Sequence, residues 1–355
     1  MKRAKVVPIY KKGDPINSSN YRPVSLLPAF SKVLEKVMYM KMINYLNANT
    51  ILYHHQYGFR NNHSTIHPII HLLNHCAIAS NKNETTLALF CDLSKAFDVI
   101  SHTILLRKLS IYGIRGLALK WFTSYLSGRE QYVRYASYDS GLSGISHGVP
   151  QGSILGPLLF LLYVNDICIS DRFNILSFAD DTTLYMSSNS VYILFDMAND
   201  QIDRLYNWFC CNELYLNAEK TKYILISAPN KKNDTSSLHI RIREKDIQII
   251  GNDMPEKSFK FLGIYIDENL TWKHHILHVN SKISQSLFGL RQIKHILPRH
   301  CLINLYFTLV QPYLSYGLVV WGNAKAHYIK KTILLQKRAL RIINHKHFNS
   351  HTEPL

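Results

Sequence analysis

Two adjacent aspartates, Asp180 and Asp181, are the residues whose type and spacing most directly suggest chemistry. Residues 175–178 and 182–186 on either side favour β-structure, so the sequence predicts a tight hairpin with both carboxylates at its tip. Neighbouring carboxylates repel each other, and a divalent cation removes that repulsion because hard Mg²⁺ prefers carboxylate oxygens. An exposed Asp-rich turn is the alternative interpretation, since aspartate favours turns in any case.

A third carboxylate, Asp92, follows the apolar run of residues 85–91. Such a run predicts a strand buried on both faces, and polar site residues emerge at the C-terminal end of a strand of this kind. A single acid at a strand end is also a common helix N-cap, which is the alternative here. The separate acidic pair makes Asp92 a candidate for the same site.

The elements that must position these acids have recognisable signals. A loop rich in Gly and Pro delivers Gln151 and Gly152 to the start of a very apolar helix, where backbone can come close to a nucleotide or base pair. A plain turn before a core helix explains the same loop. Residues 2–28 are expected to be irregular, and Ser31 with Glu35 predicts a capped helix directly after them.

Four histidines recur four residues apart on a predicted second helix, namely His63, His67, His71 and His75. Four imidazoles on one helix face could bind Zn²⁺ or Ni²⁺. No Cys or acid completes a tetrahedral set at closed spacing, however, so a polar helix face, one that could line an RNA groove, is the preferred interpretation.

Composition and charge narrow the class of protein. The 355 residues are 47% hydrophobic and 12% aromatic, which supports a sizeable core and excludes a disordered chain. The net charge of +17 is segregated: residues 1–75 carry +8, residues 76–256 carry −2 and residues 257–355 carry +11. Two basic lobes around a near-neutral centre suit a polyanion that is gripped on both sides of an acidic site.

The remaining compositional signals concern the compartment. Six cysteines without a C-x-x-C pair indicate a reducing, intracellular environment, the nucleus and/or the cytoplasm. The N-terminus has no apolar segment typical of a signal peptide. The window from Cys301 to Trp321 is long enough to cross a bilayer, yet its polar residues favour buried helices, so no membrane association is expected.

Seven local strings occur in an order that resembles the reverse transcriptases of non-LTR (LINE-type) retrotransposons of the jockey group. Each string alone is weakly specific, whereas the series in this order is very specific. The strings occupy residues 20–27, 56–65, 90–98, 148–160, 178–181, 216–222 and 261–267, which together extend over most of the chain.

The resemblance implies an α+β fold of the right-hand polymerase type. Fingers are expected over residues 1–80, a palm with finger insertions over 81–268 and a helical thumb over 269–355. The implied activity is RNA-directed DNA synthesis on an RNA template, from a DNA primer and deoxynucleoside triphosphates. The cofactor would be two Mg²⁺ ions, with Mn²⁺ able to substitute, held by Asp92, Asp180 and Asp181.

The resemblance also assigns roles around these carboxylates. Phe97 matches the bulky residue that crowds the sugar 2′ position and so favours deoxynucleotides. Asp98, next to it, is expected to serve structure rather than metal binding. Gln151 and Gly152 match positions that pack on the templating base pair. Arg22 and Lys32 match basic positions that neutralise the triphosphate, and Lys220 matches a lysine that protonates the leaving pyrophosphate.

Two other functions stay open from the sequence. A catalytically decayed fragment that only binds nucleic acid would keep the fold and the basic lobes, and an RNA-directed RNA polymerase would share the palm chemistry, although Phe97 argues against it. An endonuclease domain and a zinc knuckle, which accompany full-length members of the family, are not expected in this chain, so a partial open reading frame is expected. The template, the priming mode and the oligomeric state are left open.

Overall fold

A computed structural model describes residues 2–168, 174–228, 231, 235, 237–347 and 349–352. Strands and helices alternate through the first three quarters of these residues and helices alone follow, so the predicted α+β class is confirmed. The strands are β1 (Arg3–Tyr10), β2 (Tyr21–Leu26), β3 (Thr85–Cys91), β4 (Arg129–Tyr135), β5 (Tyr138–Asp139), β6 (Ser143–Ile145), β7 (Asn174–Phe178), β8 (Asp181–Ser188), β9 (Lys222–Ile226), β10 (Arg241–Ile242), β11 (Lys245–Asp246), β12 (Gln248–Ile250), β13 (Phe259–Phe261) and β14 (Ile264–Ile266). The helices are α1 (Ala29–Ala48), α2 (Ile66–Asn81), α3 (His102–Ile111), α4 (Gly116–Leu126), α5 (Leu155–Val164), α6 (Val191–Cys211), α7 (Lys273–Ile293), α8 (Arg299–Leu309), α9 (Gln311–Ser315), α10 (Leu318–Trp321) and α11 (Ala326–Ile343).

A five-stranded sheet with the order β12-β9-β3-β8-β7 forms the centre of the fold. Its middle strand, β3, is buried along its whole length, as its continuous apolar sequence predicts. Successive side chains of β3 enter two different cores: Leu87 and Leu89 face one, and Ala88 and Phe90 face the other. Burial on both faces fixes the position of the strand end at which Asp92 follows.

Helices cover both faces of this sheet. The core on one side combines residues of α1 and of α3 through α6 with the sheet. On the other side, α2, the β13–β14 hairpin and the start of α7 pack against the sheet. In the β13–β14 hairpin, Phe261 pairs with Ile264 across the turn.

A second sheet, with the order β2-β1-β4-β5 and β6 beside β4, contains the N-terminal residues. The expectation that residues 2–28 are irregular is therefore wrong. The chain does bend around Gly13, but Pro23 lies within β2 and pairs with Pro8 of β1. Ala4 and Val6 alternate with more exposed positions and give β1 one buried face. Parallel pairing of Arg3 with Glu130 joins this strand to β4, a contact across a separation that local sequence does not reveal.

The C-terminal part of the described chain is helical. Helices α7, α8 and α11 enclose a third core that includes Ile283, Leu302 and Ala339. No helix in the described residues has both the length and the apolar character needed to cross a bilayer. The divisions into fingers, palm and thumb stay predictions, as does the intracellular location.

Two local expectations about helices are wrong. Ser31 lies inside α1 rather than at its N-cap, which is Pro28, and the buried carboxylate of Glu35 does not close a capping box. Glu35 Oε2 instead accepts a hydrogen bond of 2.7 Å from the backbone N–H of Ile154, at the start of α5. This acid therefore caps a different helix, 119 residues along the chain.

The four histidines do not form the single polar helix face that the sequence predicts. His63 precedes α2, and His71 points towards the central sheet, where it hydrogen-bonds to Tyr57 at 3.1 Å and to Tyr185 at 2.9 Å. His75 bonds to Ser187 of β8 at 2.8 Å. The rings of His71 and His75 are therefore used in packing α2 onto the sheet, and an RNA groove lined by this face stays a prediction.

Candidate active site

The three aspartates meet where β3 ends and the β7–β8 hairpin turns. Phe178 pairs with Asp181 across that hairpin, which confirms the predicted hairpin. Of the two acids only Asp180 lies in the two-residue turn, beside Ala179, because Asp181 is the first residue of β8. The antiparallel register between β3 and β8 ends at Cys91 opposite Thr182, so the next residues along each strand are Asp92 and Asp181. Directly opposed residues in an antiparallel pair lie about 5 Å apart at Cα.

Backbone contacts fix Asp92 from the other side. Its carbonyl oxygen accepts a hydrogen bond of 2.9 Å from the N–H of Asn217, and its own N–H donates to Thr221 Oγ1 at 3.4 Å. The loop before β9 therefore anchors the backbone of this residue, while its carboxylate remains half-exposed.

The pKa of Asp180 and the pKa of Asp181 are both raised, by burial and by the neighbouring carboxylates. Burial raises the pKa of Asp181 to about 6, and the charges of Asp180 and Asp92 add to the effect. Burial also raises the pKa of Asp180, and Asp92 raises it further, while Arg22 and Lys11 act in the opposite direction. Asp181 has substantial accessible surface, but many protein atoms surround its carboxyl, which explains the direction of its shift.

Among the described residues, Lys220 forms an ion pair with one of these acids. Its Nζ lies 3.5 Å from Asp92 Oδ2, and both side chains remain partly exposed. The predicted Lys220 site is thus brought to Asp92 itself. Lys222, two residues later, pairs with Glu256 instead.

A large open cavity lies beside the carboxylates. It has a volume of about 1300 Å³, and the second sheet forms one wall while the loops after β3 and before α5 form the other. Of the sequence-predicted site residues, it is lined by Asp92, Phe97, Gln151, Gly152, Asp180, Arg22 and Lys220. A smaller cavity of about 370 Å³, towards the β13–β14 hairpin, is lined by Asp92, Asp181 and Lys220 together with Lys260.

Phe97 stands in the wall of the large cavity. Its ring stacks on Phe160 of α5, with centroids 4.5 Å apart, and meets the edge of Phe59 at 6.2 Å. Two aromatic neighbours hold the ring in place, so it presents a rigid apolar surface towards the cavity.

Gln151 and Gly152 belong to a loop that is tied to its surroundings. The side-chain Nε2 of Gln151 donates to Asp98 Oδ1 at 2.8 Å. Gly152 has φ of +119°, and a Cβ at this position would lie 2.6 Å from the carbonyl oxygen of Ser25 in β2. Only glycine fits there without strain, because both the backbone conformation and the close approach exclude a side chain.

The sequence patterns did not indicate the roles of several residues at the site. Burial raises the pKa of Asp180 and Asp98, and the charge of Lys11, which lines the cavity, opposes this shift; its place in a turn-like basic segment gave no signal. Asp98 was expected to serve structure, and its bond to Gln151 shows which side chain it orients. Lys32, by contrast, is exposed on α1 and is not among the residues that line the cavity, so its role stays a prediction.

The site fits a divalent cation by its donor chemistry. Asp92, Asp180 and Asp181 supply only carboxylate oxygens, and their mutual repulsion would be relieved by a shared cation. Across the described residues, no three His, Cys, Asp or Glu side chains stand close enough to hold an ion in their present conformations. Lys220 lies 3.5 Å from Oδ2 of Asp92, so an ion at that oxygen would compete with the lysine.

Comparisons with known proteins agree with this geometry. A family model described as "Reverse transcriptase (RNA-dependent DNA polymerase)" matches residues 9–266. The "RNA-directed DNA polymerase from mobile element jockey" of Drosophila melanogaster is 28% identical over 97% of this chain and 38% of that relative. The "Probable RNA-directed DNA polymerase from transposon BS" of the same organism is 28% identical over 99% of this chain and 40% of the relative.

The chain spans about two fifths of the length of the curated relatives that it matches. Among solved structures, apo telomerase from Candida tropicalis aligns with a TM-score of 0.52 at 12% identity, over 99% of this chain and 64% of that one. This likeness confirms the right-hand polymerase fold. The family match covers the strand end at Asp92, the loop at Gln151 and the hairpin at Asp180, and the relatives confirm the resemblance to the non-LTR group. The chain therefore belongs to the reverse transcriptase (RNA-dependent DNA polymerase) family.

Proposed function

We propose that this chain synthesises DNA on an RNA template by extending the 3′-OH of a DNA primer with deoxynucleoside triphosphates. The observation that carries the proposal is the register of β3 and β8, which ends at Cys91 opposite Thr182, so that Asp92 and Asp181 are the next residues of the two strands and line one cavity together. Carboxylates on neighbouring strands are the arrangement that two-metal phosphoryl transfer requires.

Reverse transcriptases generally use divalent metal ions. Two Mg²⁺ ions, for which Mn²⁺ would substitute, would be held by Asp92, Asp180 and Asp181. When bound, such ions supply positive charge to the attacking 3′-oxygen and to the leaving pyrophosphate. The carboxylates bring the required negative charge to one place, on strands whose burial prevents them from moving apart.

The cavity offers the triphosphate a positive wall opposite the acids. Arg22 of β2 and Lys11 line the same cavity as Asp180, and their positive charges oppose the burial that raises the pKa of this acid. They would attract phosphates bound in the cavity. Phe97 would exclude a 2′-hydroxyl, because its ring is held in place by stacking on Phe160 and has no atom that could form a hydrogen bond with the hydroxyl. Gln151 and Gly152 would pack against the templating base pair.

Lys220 would donate a proton to the leaving pyrophosphate. An ammonium group is suited to this step only when it is free to turn towards the nucleotide. In the present structure it is paired with Asp92, and its exposed side chain would turn from that carboxylate to reach the pyrophosphate.

Primer extension tests the proposal. Wild type, Asp92→Ala, Asp181→Ala and, as a control, Asp200→Ala would be compared on an RNA template. Asp200 lies on the exposed face of α6 and pairs locally with Arg204, one turn further along the same helix. We expect incorporation by wild type and Asp200→Ala and its loss in the other two variants. Equal incorporation by all four would contradict the catalytic assignment, and RNA binding without incorporation by any would favour a decayed nucleic-acid binder.

A further inference from the structure

Gln56 contacts the turn that presents the acidic pair, although 123 residues separate it from Ala179. The side chain is almost fully buried, with 4% of its surface accessible. Its Oε1 accepts two backbone hydrogen bonds, from Ala179 at 3.1 Å and from Gly58 at 2.8 Å. One amide oxygen therefore joins the hairpin tip to the segment before α2.

The turn needs such support because its backbone is unfavourable. Ala179 has φ of +57°, in the left-handed region, at the first position of the two-residue turn between Phe178 and Asp181. Hairpins usually place glycine where a turn residue has positive φ. For an alanine this conformation costs about 1 kcal/mol or more, so it persists only where the surroundings impose it.

The surroundings of the turn are unusually close. Tyr57 N–H donates to Ser177 O at 2.8 Å, and Ser177 N–H donates to His55 O at 3.0 Å, so residues 55–57 pair with the free edge of β7. A Cβ at Gly58 would lie 2.2 Å from the backbone nitrogen of Ala179. The segment therefore fits against the turn only because residue 58 has no side chain.

We infer that Gln56 is a positioning residue for the metal-binding carboxylates, acting through Ala179 rather than touching the reactants. By holding the left-handed turn, its amide oxygen sets the direction in which Asp180 and Asp181 leave the hairpin. The inference rests on the metal role proposed above for these acids. The competing explanation is that Gln56 merely covers the edge of β7 and affects stability alone.

Two substitutions separate these explanations. Gln56→Met keeps the length of the side chain but removes the acceptor, which leaves the Ala179 N–H buried without a partner. We expect Mn²⁺ affinity and kcat to fall by about 10- to 100-fold, as is typical when a group that orients metal ligands is lost. KM for the nucleotide should change little. Gln56→Glu retains acceptor oxygens for both N–H groups and should recover most of the loss.

A double variant tests the route through the turn. Glycine adopts positive φ without strain, so Ala179→Gly should make the hairpin less dependent on Gln56. We therefore expect the double variant Gln56→Met/Ala179→Gly to bind Mn²⁺ and turn over better than Gln56→Met alone. If the two residues acted independently, the change in Mn²⁺ affinity in the double variant would be the product of the changes in the two single variants. Because the glycine removes strain, the double variant also keeps the test valid if Gln56→Met folds poorly.

Mn²⁺ binding to the full chain would be measured by electron paramagnetic resonance without nucleic acid, beside single-nucleotide extension and thermal melting. Gln201→Met is the matched control, because Gln201 is equally buried, at 2%, and its Oε1 has no hydrogen-bond partner among the described residues. Gln56→Met and Gln201→Met variants with equal Mn²⁺ affinity and kcat would overturn the inference, as would failure of Gln56→Glu or of the double variant to recover. If Asp181→Ala bound Mn²⁺ like wild type, the proposed metal site itself would fail instead.

Discussion

The ion pair between Lys220 and Asp92 predicts that one substitution will change metal binding and turnover in opposite directions. Lys220→Gln removes the cation that competes with a metal ion for Asp92 Oδ2, so metal affinity should rise. The same substitution removes the proposed proton donor, so kcat should fall. A purely structural role for Lys220 would lower both quantities or neither.

The size of each effect follows from the structure. The two charged atoms lie 3.5 Å apart, and the side chains of Lys220 and Asp92 keep 69% and 39% of their surface accessible. Solvent-exposed pairs of this kind contribute about 0.2 to 1 kcal/mol. The dissociation constant for Mn²⁺ should therefore decrease by a factor of about 1.4 to 5. Loss of a general acid lowers turnover by about 100-fold or more.

Mn²⁺ titration followed by electron paramagnetic resonance gives the affinity, and rapid-quench extension by one nucleotide gives the rate. Lys222→Gln is the control. Lys222 lies two residues after Lys220 and carries the same charge, but its side chain pairs with Glu256 rather than with Asp92. The Mn²⁺ affinity of this control should change less than that of Lys220→Gln. Weaker Mn²⁺ binding by Lys220→Gln, or unchanged turnover at saturating metal, would refute the reasoning.

Three further predictions concern specificity and stability. Phe97→Ala should weaken discrimination against ribonucleotides by about tenfold or more, measured as the ratio of kcat/KM for dNTP and NTP, because the braced ring is removed. Gly152→Ala should destabilise the fold by about 1 to 3 kcal/mol and lower the melting temperature, whereas Gly144→Ala, with open space around its Cβ and no positive φ, should not. Burial lowers the pKa of His55 and His275 to about 4. Between pH 6.5 and pH 4 these histidines bind protons in the unfolded chain but remain neutral in the folded chain, so the stability that they contribute is complete above pH 6.5 and is lost towards pH 4. The melting temperature should therefore fall as the pH is lowered through this range, and it should fall less in His275→Gln.

The parts of the site that sequence predicted well are those governed by local pattern. The continuous apolar run before Asp92 requires a buried strand, and the β-forming segments around Asp180 require a hairpin, so both carboxylate positions followed from short stretches. Strand β1 was missed because only Ala4 and Val6 show its alternation, and its partners lie far along the chain. Glu35 was assigned to the wrong helix for a similar reason: a buried acid near a helix start has a local explanation, and the distant N–H of Ile154 outweighs it.

Long-range backbone contacts, rather than the strands alone, determine how the acids are oriented. The β3–β8 register ends one residue before Asp92 and Asp181, and a strand end and a hairpin tip are free to bend unless something fixes them. Asn217 fixes the first by donating to the carbonyl of Asp92, and Gln56 fixes the second through Ala179. Both contacts come from loops distant in sequence and act on backbone atoms, so the carboxylates themselves stay free to exchange a lysine for a cation. A site built in this way can tolerate the repulsion between its acids, because relaxing it would require breaking hydrogen bonds that are anchored elsewhere in the fold.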